Sequence, residues 1–155
     1  MSNFTADQLR LYQAAEAGSS IRCRVVAVQN QFDVLHGESS NNRGALVLAA
    51  RTGVAFIAHS PLAQGLLTDR YLDADRIGPG DRLHDEGRLD VLRDAPTMAK
   101  LRRLAGLARE GGLEVSQLVL AYMLTLPGMG PVIPSATTLA QLESNAAAGR
   151  AVLSD

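Results

Sequence analysis

The sequence has 155 residues, 46% hydrophobic and 20% charged, and 15 Lys+Arg against 16 Asp+Glu give a formal net charge of -1. That length fits one soluble globular domain, so residues 1–155 are expected to form a single domain. High apolar content with low net charge excludes a disordered charged tail and argues against a nucleic-acid partner. No apolar run reaches the ~18 residues a membrane span needs. Met1 to Asp7 lacks the basic and apolar regions of a signal peptide, and the lone Cys23 excludes an intramolecular disulfide, so a cytoplasmic location is expected. Aromatic content is 4% with no Trp, so the core must use Ala, Val, Leu and Ile, as in layered helix-and-sheet proteins. Lys100 is the only lysine, and with the Ala and Gly richness this reads as genome composition.

Thr5 is a candidate N-cap with Gln8 at capping-box spacing, which predicts a helix through Ala17 ended by Gly18-Ser19-Ser20. The continuous apolar run from Arg24 to Gln29 predicts a strand covered on both faces, with Gln29-Asn30-Gln31 at its C-terminal end. A loop rich in Gly37, Ser39, Ser40, Asn41 and Asn42 follows, then a helix from Gly44 to Arg51 closed by Gly53. Val54 to His59 predicts a second buried strand running into Ser60-Pro61. Residues 69–94 are polar and too long for a simple connection, which predicts a functional loop.

Pro96 to Arg109 is amphipathic, with Met98, Leu101, Leu104 and Ala108 on one face. Val115 to Leu126 is apolar on most sides, which predicts a largely buried helix stopped by Pro127-Gly128. Gly130 to Pro134 predicts a third strand, and Thr138 a cap for a last helix to about Ala148. Strands separated by helices imply a parallel α/β sheet with ligands at the strand C-termini. The polar residues collect there: Gln29 and Asn30, His59 and Ser60, Ser135 and Thr137. The turn from Ser135 to Leu139 offers backbone N–H groups to a phosphate, and arginines on the long loop suit bidentate anion contact.

The blocks Ser2-Asn3-Phe4-Thr5, Val28-Gln29-Asn30-Gln31-Phe32, Phe56 through Thr68 and Ile133-Pro134-Ser135-Ala136-Thr137, with Gln141-Leu142 and Asn145 after them, resemble the aldo/keto reductase family. They are similar in particular to the branch holding glyceraldehyde-phosphate reductases and potassium-channel β-subunits. The resemblance implies the C-terminal half of a TIM (β/α)8 barrel, roughly strands six to eight with their helices. It implies further that relatives continue past Leu153-Ser154-Asp155 into another helical stretch.

It also implies NADP as cofactor, with NAD not excluded. Ser2, Asn3 and Gln29 match residues that hydrogen-bond the nicotinamide amide, and His59 stands where relatives carry a stacked Tyr or Trp. Ser60, Pro61, Leu62, Ala63 and Gln64 match the loop around the pyrophosphate, and Arg70 and Arg82 match basic positions that reach its phosphates. Ser135, Thr137, Gln141 and Asn145 match the adenosine end, where the family often has Gly at the place of Ser135 and Glu at the place of Ser144. The 69–94 loop is expected over that site.

Read without the resemblance, Gln29 and Asn30 are ordinary strand-end polar residues and Ser60-Pro61 is a turn. His59 is as readily a satisfied barrel-mouth histidine as a cofactor contact. His36 and His84 read as solvated, and Asp81, Asp85, Glu86 and Asp90 as a solvated charged loop. No spacing resembles a metal site. The family's Asp, Tyr, Lys and His tetrad falls, by the resemblance, in an N-terminal half outside these residues, so no catalytic residue is assigned here. Lys100 reads as a mid-helix surface residue, away from Tyr12, Tyr71 and Tyr122. Open sheet edges predict self-association or a complementing N-terminal half. The expected function is an NADP-binding oxidoreductase fragment that reduces carbonyls when complemented. The alternatives are a non-catalytic dinucleotide-binding module and an inactive truncated relic.

Overall fold

A computed structural model describes residues 1–20, 23–37 and 40–153, leaving aside the side chains of 40–42 and 74. The elements in chain order are α1 (Ala6–Ala17), β1 (Ala27–Gln31), α2 (Ser40–Thr52), β2 (Ala55–His59), α3 (Arg82–Asp85), α4 (Ala95–Glu110), α5 (Val115–Thr125), β3 (Met129–Ile133) and α6 (Leu139–Ala148). The chain divides into two compact units, 1–59 with 123–133, and 60–122 with 134–155. The expected loop residue Ser39 and the terminal Ser154 and Asp155 lie outside the described residues.

The first unit is an α/β layer. Its three strands are parallel in the order β1-β2-β3, with Val28 opposite Phe56 and His59 opposite Ile133. Helix α1 starts as its sequence directs: Thr5 Oγ1 accepts the Gln8 N–H, and Gln8 Oε1 accepts the Thr5 N–H. Leu9, Val28, Ala45, Ala49, Phe56 and Ala58 are fully buried. Phe32 meets Phe56 edge-on with ring centroids 5.8 Å apart.

Two boundaries differ from expectation here. β1 begins at Ala27 rather than Arg24, leaves Val26 exposed and contains Gln29, Asn30 and Gln31. The polar end of the strand is held from 26 residues away. Asn30, buried, accepts the Phe4 N–H at 3.0 Å and donates to the Phe4 carbonyl at 2.7 Å. Gln29 bridges Ser2 in parallel, so residues 1–4 lie along β1 and satisfy its polar groups. Helix α2 begins at Ser40, within the expected loop, because Ser and Asn suit a first helical turn as well as a loop.

The second unit is mostly helical. Asp94 caps α4 by accepting the Thr97 N–H, and Thr138 caps α6 by accepting the Gln141 N–H. In α4 the buried residues are Met98, Leu101, Ala105 and Ala108, so Ala105 takes the place expected of Leu104. That spacing of three, four and three keeps one face on the helical period. Helix α5 buries Val115, Val119 and Leu120 as expected.

The 69–94 segment is a chain of short helical turns rather than an open loop. Tyr71 is buried and its hydroxyl accepts the Leu83 N–H at 3.1 Å, while Leu83 is itself buried. Those two anchors tie the start of the segment to its middle. Among the described residues no helix is long and apolar enough to cross a membrane.

Candidate functional site

In the first unit the residues expected at a nicotinamide converge. The Asn3 N–H donates to the Gln29 carbonyl at 2.8 Å, and Ser2 bridges Gln29. Asn3 Oδ1 lies 3.1 Å from His59 Nε2, at the C-terminal end of β2. Asn3 has φ 55°, a left-handed conformation that asparagine tolerates better than most residues. His59 is thus a partnered histidine beside a residue that carries both an amide donor and an amide acceptor.

In the second unit a cavity of about 260 Å³ gathers Ser60, Pro61, Leu62 and Gln64 with Arg70 and Arg82. Ser135, Thr137 and Gln141 line it too. A neighbouring recess of about 630 Å³ shares Leu62, Arg70, Ser135 and Gln141 and adds Asn145. The pyrophosphate and adenosine residues expected from sequence therefore meet within one unit.

The Ser60–Gly65 turn is built by its own backbone. Ala63 N–H donates to the Ser60 carbonyl, and Gly65 N–H and Leu67 N–H donate to the Leu62 carbonyl. Thr68 Oγ1 closes on the Gly65 carbonyl at 2.8 Å. The geometry requires φ 55° at Ser60, 47° at Ala63 and 60° at Gln64. With Asn3, these are all the non-glycine residues at positive φ among the described residues. Each such residue costs on the order of 1 kcal/mol, and strain of this kind concentrates at ligand sites. Gln64 Oε1 is buried in this turn without a hydrogen-bond partner. Gln64 is also one of the residues lining the cavity.

Two arginines supply the positive charge. Arg70 holds Asp81 through Nε–H at 2.7 Å and an NH2 proton at 2.8 Å, and Arg82 holds Glu86 at 2.7 Å. The hydrogen bond to Asp81 raises the Arg70 pKa, and the same bond, then that from the Gly78 N–H, lowers the Asp81 pKa. Each guanidinium has five N–H donors, so donors remain for an anion. Thr137 donates from both its N–H and its hydroxyl to Gln141 Oε1, at 2.7 and 3.0 Å. Asn145 Nδ2 donates to the Ser135 carbonyl at 3.4 Å. The arginine donors fit a diphosphate, and the polar Ser135, Thr137 and Gln141 fit an attached nucleoside.

Several residues depart from their sequence reading. Asp81 lines the cavity with its side chain 11% exposed, so it is a clamp on Arg70 rather than part of a solvated loop. His36 and His84 keep exposed side chains as expected, and each also has a carboxylate partner: His36 Nδ1 lies 2.9 Å from Asp33 Oδ1 and His84 Nδ1 2.9 Å from Asp85 Oδ1. Asp33 is fully buried and was not foreseen; its Oδ1 also accepts the N–H groups of Leu35 and His36. The signal was an Asp beginning a turn that ends on Gly37. Glu114 was also missed; it accepts the Ser144 hydroxyl at 2.6 Å across thirty positions of sequence, which no local pattern reveals. Among the described residues no group of three or more His, Cys, Asp or Glu could hold a metal.

These features define an α/β protein with a parallel sheet and a polar anion-suited cavity. The aldo/keto reductase family model matches residues 1–155. The chain is 34% identical over 108 residues to L-glyceraldehyde 3-phosphate reductase of Escherichia coli strain K12, covering 66% of this chain and 30% of that protein. It is 32% identical over 140 residues to the uncharacterized oxidoreductase Mb2320 of Mycobacterium bovis, covering 90% and 42%. The solved thermostable aldo-keto reductase Tm1743, in complex with the inhibitor epalrestat, superposes with a TM-score of 0.66 at 22% identity, over 99% of this chain and 43% of that one. This chain belongs to the aldo/keto reductase family. It spans less than half the length of these relatives.

Proposed function

We propose that this chain carries the dinucleotide-binding side of an aldo/keto reductase-type oxidoreductase, and that carbonyl reduction requires a complementing N-terminal half. The observation that carries the reading is the cavity, with Arg70 and Arg82 and the left-handed Ser60–Gln64 turn on its walls. In this reading Ser60, Pro61, Leu62, Ala63 and Gln64 wrap a pyrophosphate, and the two arginines neutralise it. Ser135, Thr137, Gln141 and Asn145 take the adenosine. The nicotinamide contacts that the resemblance assigns to Ser2, Asn3, Gln29 and His59 belong to the first unit and are proposed separately from this cavity.

A bound pyridine dinucleotide, NADP(H) or NAD(H), supplies the hydride. The residues of this chain bind and orient it. Reduction of a carbonyl also needs a proton donor beside the substrate, which this reading assigns to the complementing half with its Asp, Tyr, Lys and His. Strands six to eight of a (β/α)8 barrel are the role proposed for β1, β2 and β3. The outer edge of β3, paired only to β2 among the described residues, then receives a further strand from that half or from a second copy.

Fluorescence titration of the 155-residue chain with a reduced dinucleotide tests the reading. Saturable binding that Arg70→Ala and Arg82→Ala each weaken supports it. Absence of binding, or binding indifferent to both substitutions, overturns it.

A further inference from the structure

We infer that the adenosine end of the cavity selects NAD(H) over NADP(H), with Glu114 as the specificity-determining residue; this rests on the dinucleotide reading above. The resemblance to the family implies the opposite preference, and the charges on the walls decide against it.

The cavity of about 260 Å³ has two guanidiniums, Arg70 and Arg82, against one carboxylate, Asp81. The recess beside it has three carboxylates, Asp69, Asp81 and Glu114, against the single guanidinium of Arg70. The Arg70–Asp81 pair lines both and cancels in the comparison, leaving Arg82 in the cavity against Asp69 and Glu114 in the recess. The positive end suits a pyrophosphate. The negative end suits an uncharged nucleoside.

Glu114 is exposed, and its carboxylate is oriented by Ser144. Its carboxylate accepts the Ser144 hydroxyl at 2.6 Å, and its backbone N–H donates to Gln117 Oε1 at 3.0 Å. Asp69 Oδ2 accepts the Val115 N–H at 3.0 Å, next along the chain. A held carboxylate accepts hydrogen bonds from the 2′- and 3′-hydroxyls of a ribose. A 2′-phosphate offers no such donor at neutral pH and brings nearly two further negative charges. Discrimination therefore comes from both a gained contact with NAD(H) and a repulsion against NADP(H).

The test is parallel titration of the full chain with NADH and with NADPH at low salt, followed by the fluorescence of the reduced nicotinamide. NADH is expected to bind at least about tenfold more tightly. Glu114→Gln removes the charge and keeps the shape, and is expected to close most of that gap by tightening NADPH and weakening NADH. Ser144→Ala, which frees the carboxylate, is expected to narrow it in the same direction. NADPH binding as tightly as NADH, or a ratio that neither substitution changes, overturns the inference while leaving the dinucleotide reading intact. Failure of both nucleotides to bind overturns the dinucleotide reading and this inference with it.

Discussion

Arg70 grips Asp81 with two hydrogen bonds, of 2.7 and 2.8 Å, and thereby closes a loop across eleven positions of sequence. Asp81 Oδ2 also accepts the Gly78 N–H at 2.9 Å, so the one carboxylate fixes both the turn at Gly78-Pro79-Gly80 and the cavity arginine. Asp81→Asn keeps the shape and loses the charge that makes the bidentate pair strong. The expected result is faster tryptic cleavage after Arg76 and Arg82 with little change in melting temperature, since partly exposed pairs add little to global stability. An unchanged cleavage pattern would show that the clamp does not order the segment.

The same stretch makes the protein acid-sensitive. The Arg70 bond holds the Asp81 pKa below its ordinary value, the His84 bond that of Asp85, the Arg82 bond that of Glu86, and the Thr97 hydroxyl and N–H that of Asp94. A carboxylate with a lowered folded-state pKa stabilises the fold above its unfolded-state pKa, and that stability is lost as pH falls through the folded value. The melting temperature is therefore expected to be flat from about pH 7 to about pH 5 and to fall by only a few degrees below about pH 4, because each of these pairs is partly exposed and individually weak. Circular dichroism melts across that range check it; an equal melting temperature at pH 5 and pH 3 contradicts it.

Two glycines separate crowding from backbone strain. A Cβ on Gly128, at φ 82°, would lie 2.6 Å from the Ala50 Cβ and 2.8 Å from the Ala50 backbone nitrogen. A Cβ on Gly53, at φ 69°, would meet nothing within 4 Å. Gly53→Ala is expected to cost about 1–2 kcal/mol, the left-handed penalty alone. Gly128→Ala adds the collision with backbone and is expected to cost on the order of 3 kcal/mol or more. Urea unfolding of both variants measures the difference, and equal losses would mean that Ala50 yields freely.

At Gln64 the proposed binding role and stability are expected to oppose each other. Its buried, unpartnered Oε1 destabilises the ligand-free chain by an uncompensated desolvation. Gln64→Ala is expected to leave the melting temperature level or raise it by a few degrees, while weakening dinucleotide affinity by about tenfold. A variant that melts lower and binds equally well would make Gln64 a packing residue.

Sequence legibility followed sequence distance. The Thr5 and Gln8 capping box and the Thr138 cap are set by neighbours three positions apart, and both formed as read. The parallel sheet was legible because apolar runs alternate with helical segments. The burial of Asn30 near the end of β1 was not, because it depends on Phe4, 26 positions away. The same limit hid the buried anchor from Tyr71 to Leu83 and the contact between Glu114 and Ser144. The residues proposed to hold a dinucleotide were legible as family blocks. Their supporting partners, Asp81 and Glu114, were not, since charged residues in polar segments look alike until the fold pairs them.

Nuclear magnetic resonance of the isotopically labelled chain during NADH addition tests the central claim most directly, because it reports both that the ligand binds and where. The account predicts amide shift changes centred on Ser60 to Thr68, the Arg70 and Arg82 surroundings and Ser135 to Gln141. A spectrum unaltered at millimolar NADH, or changes confined to helices remote from that cavity, would contradict it.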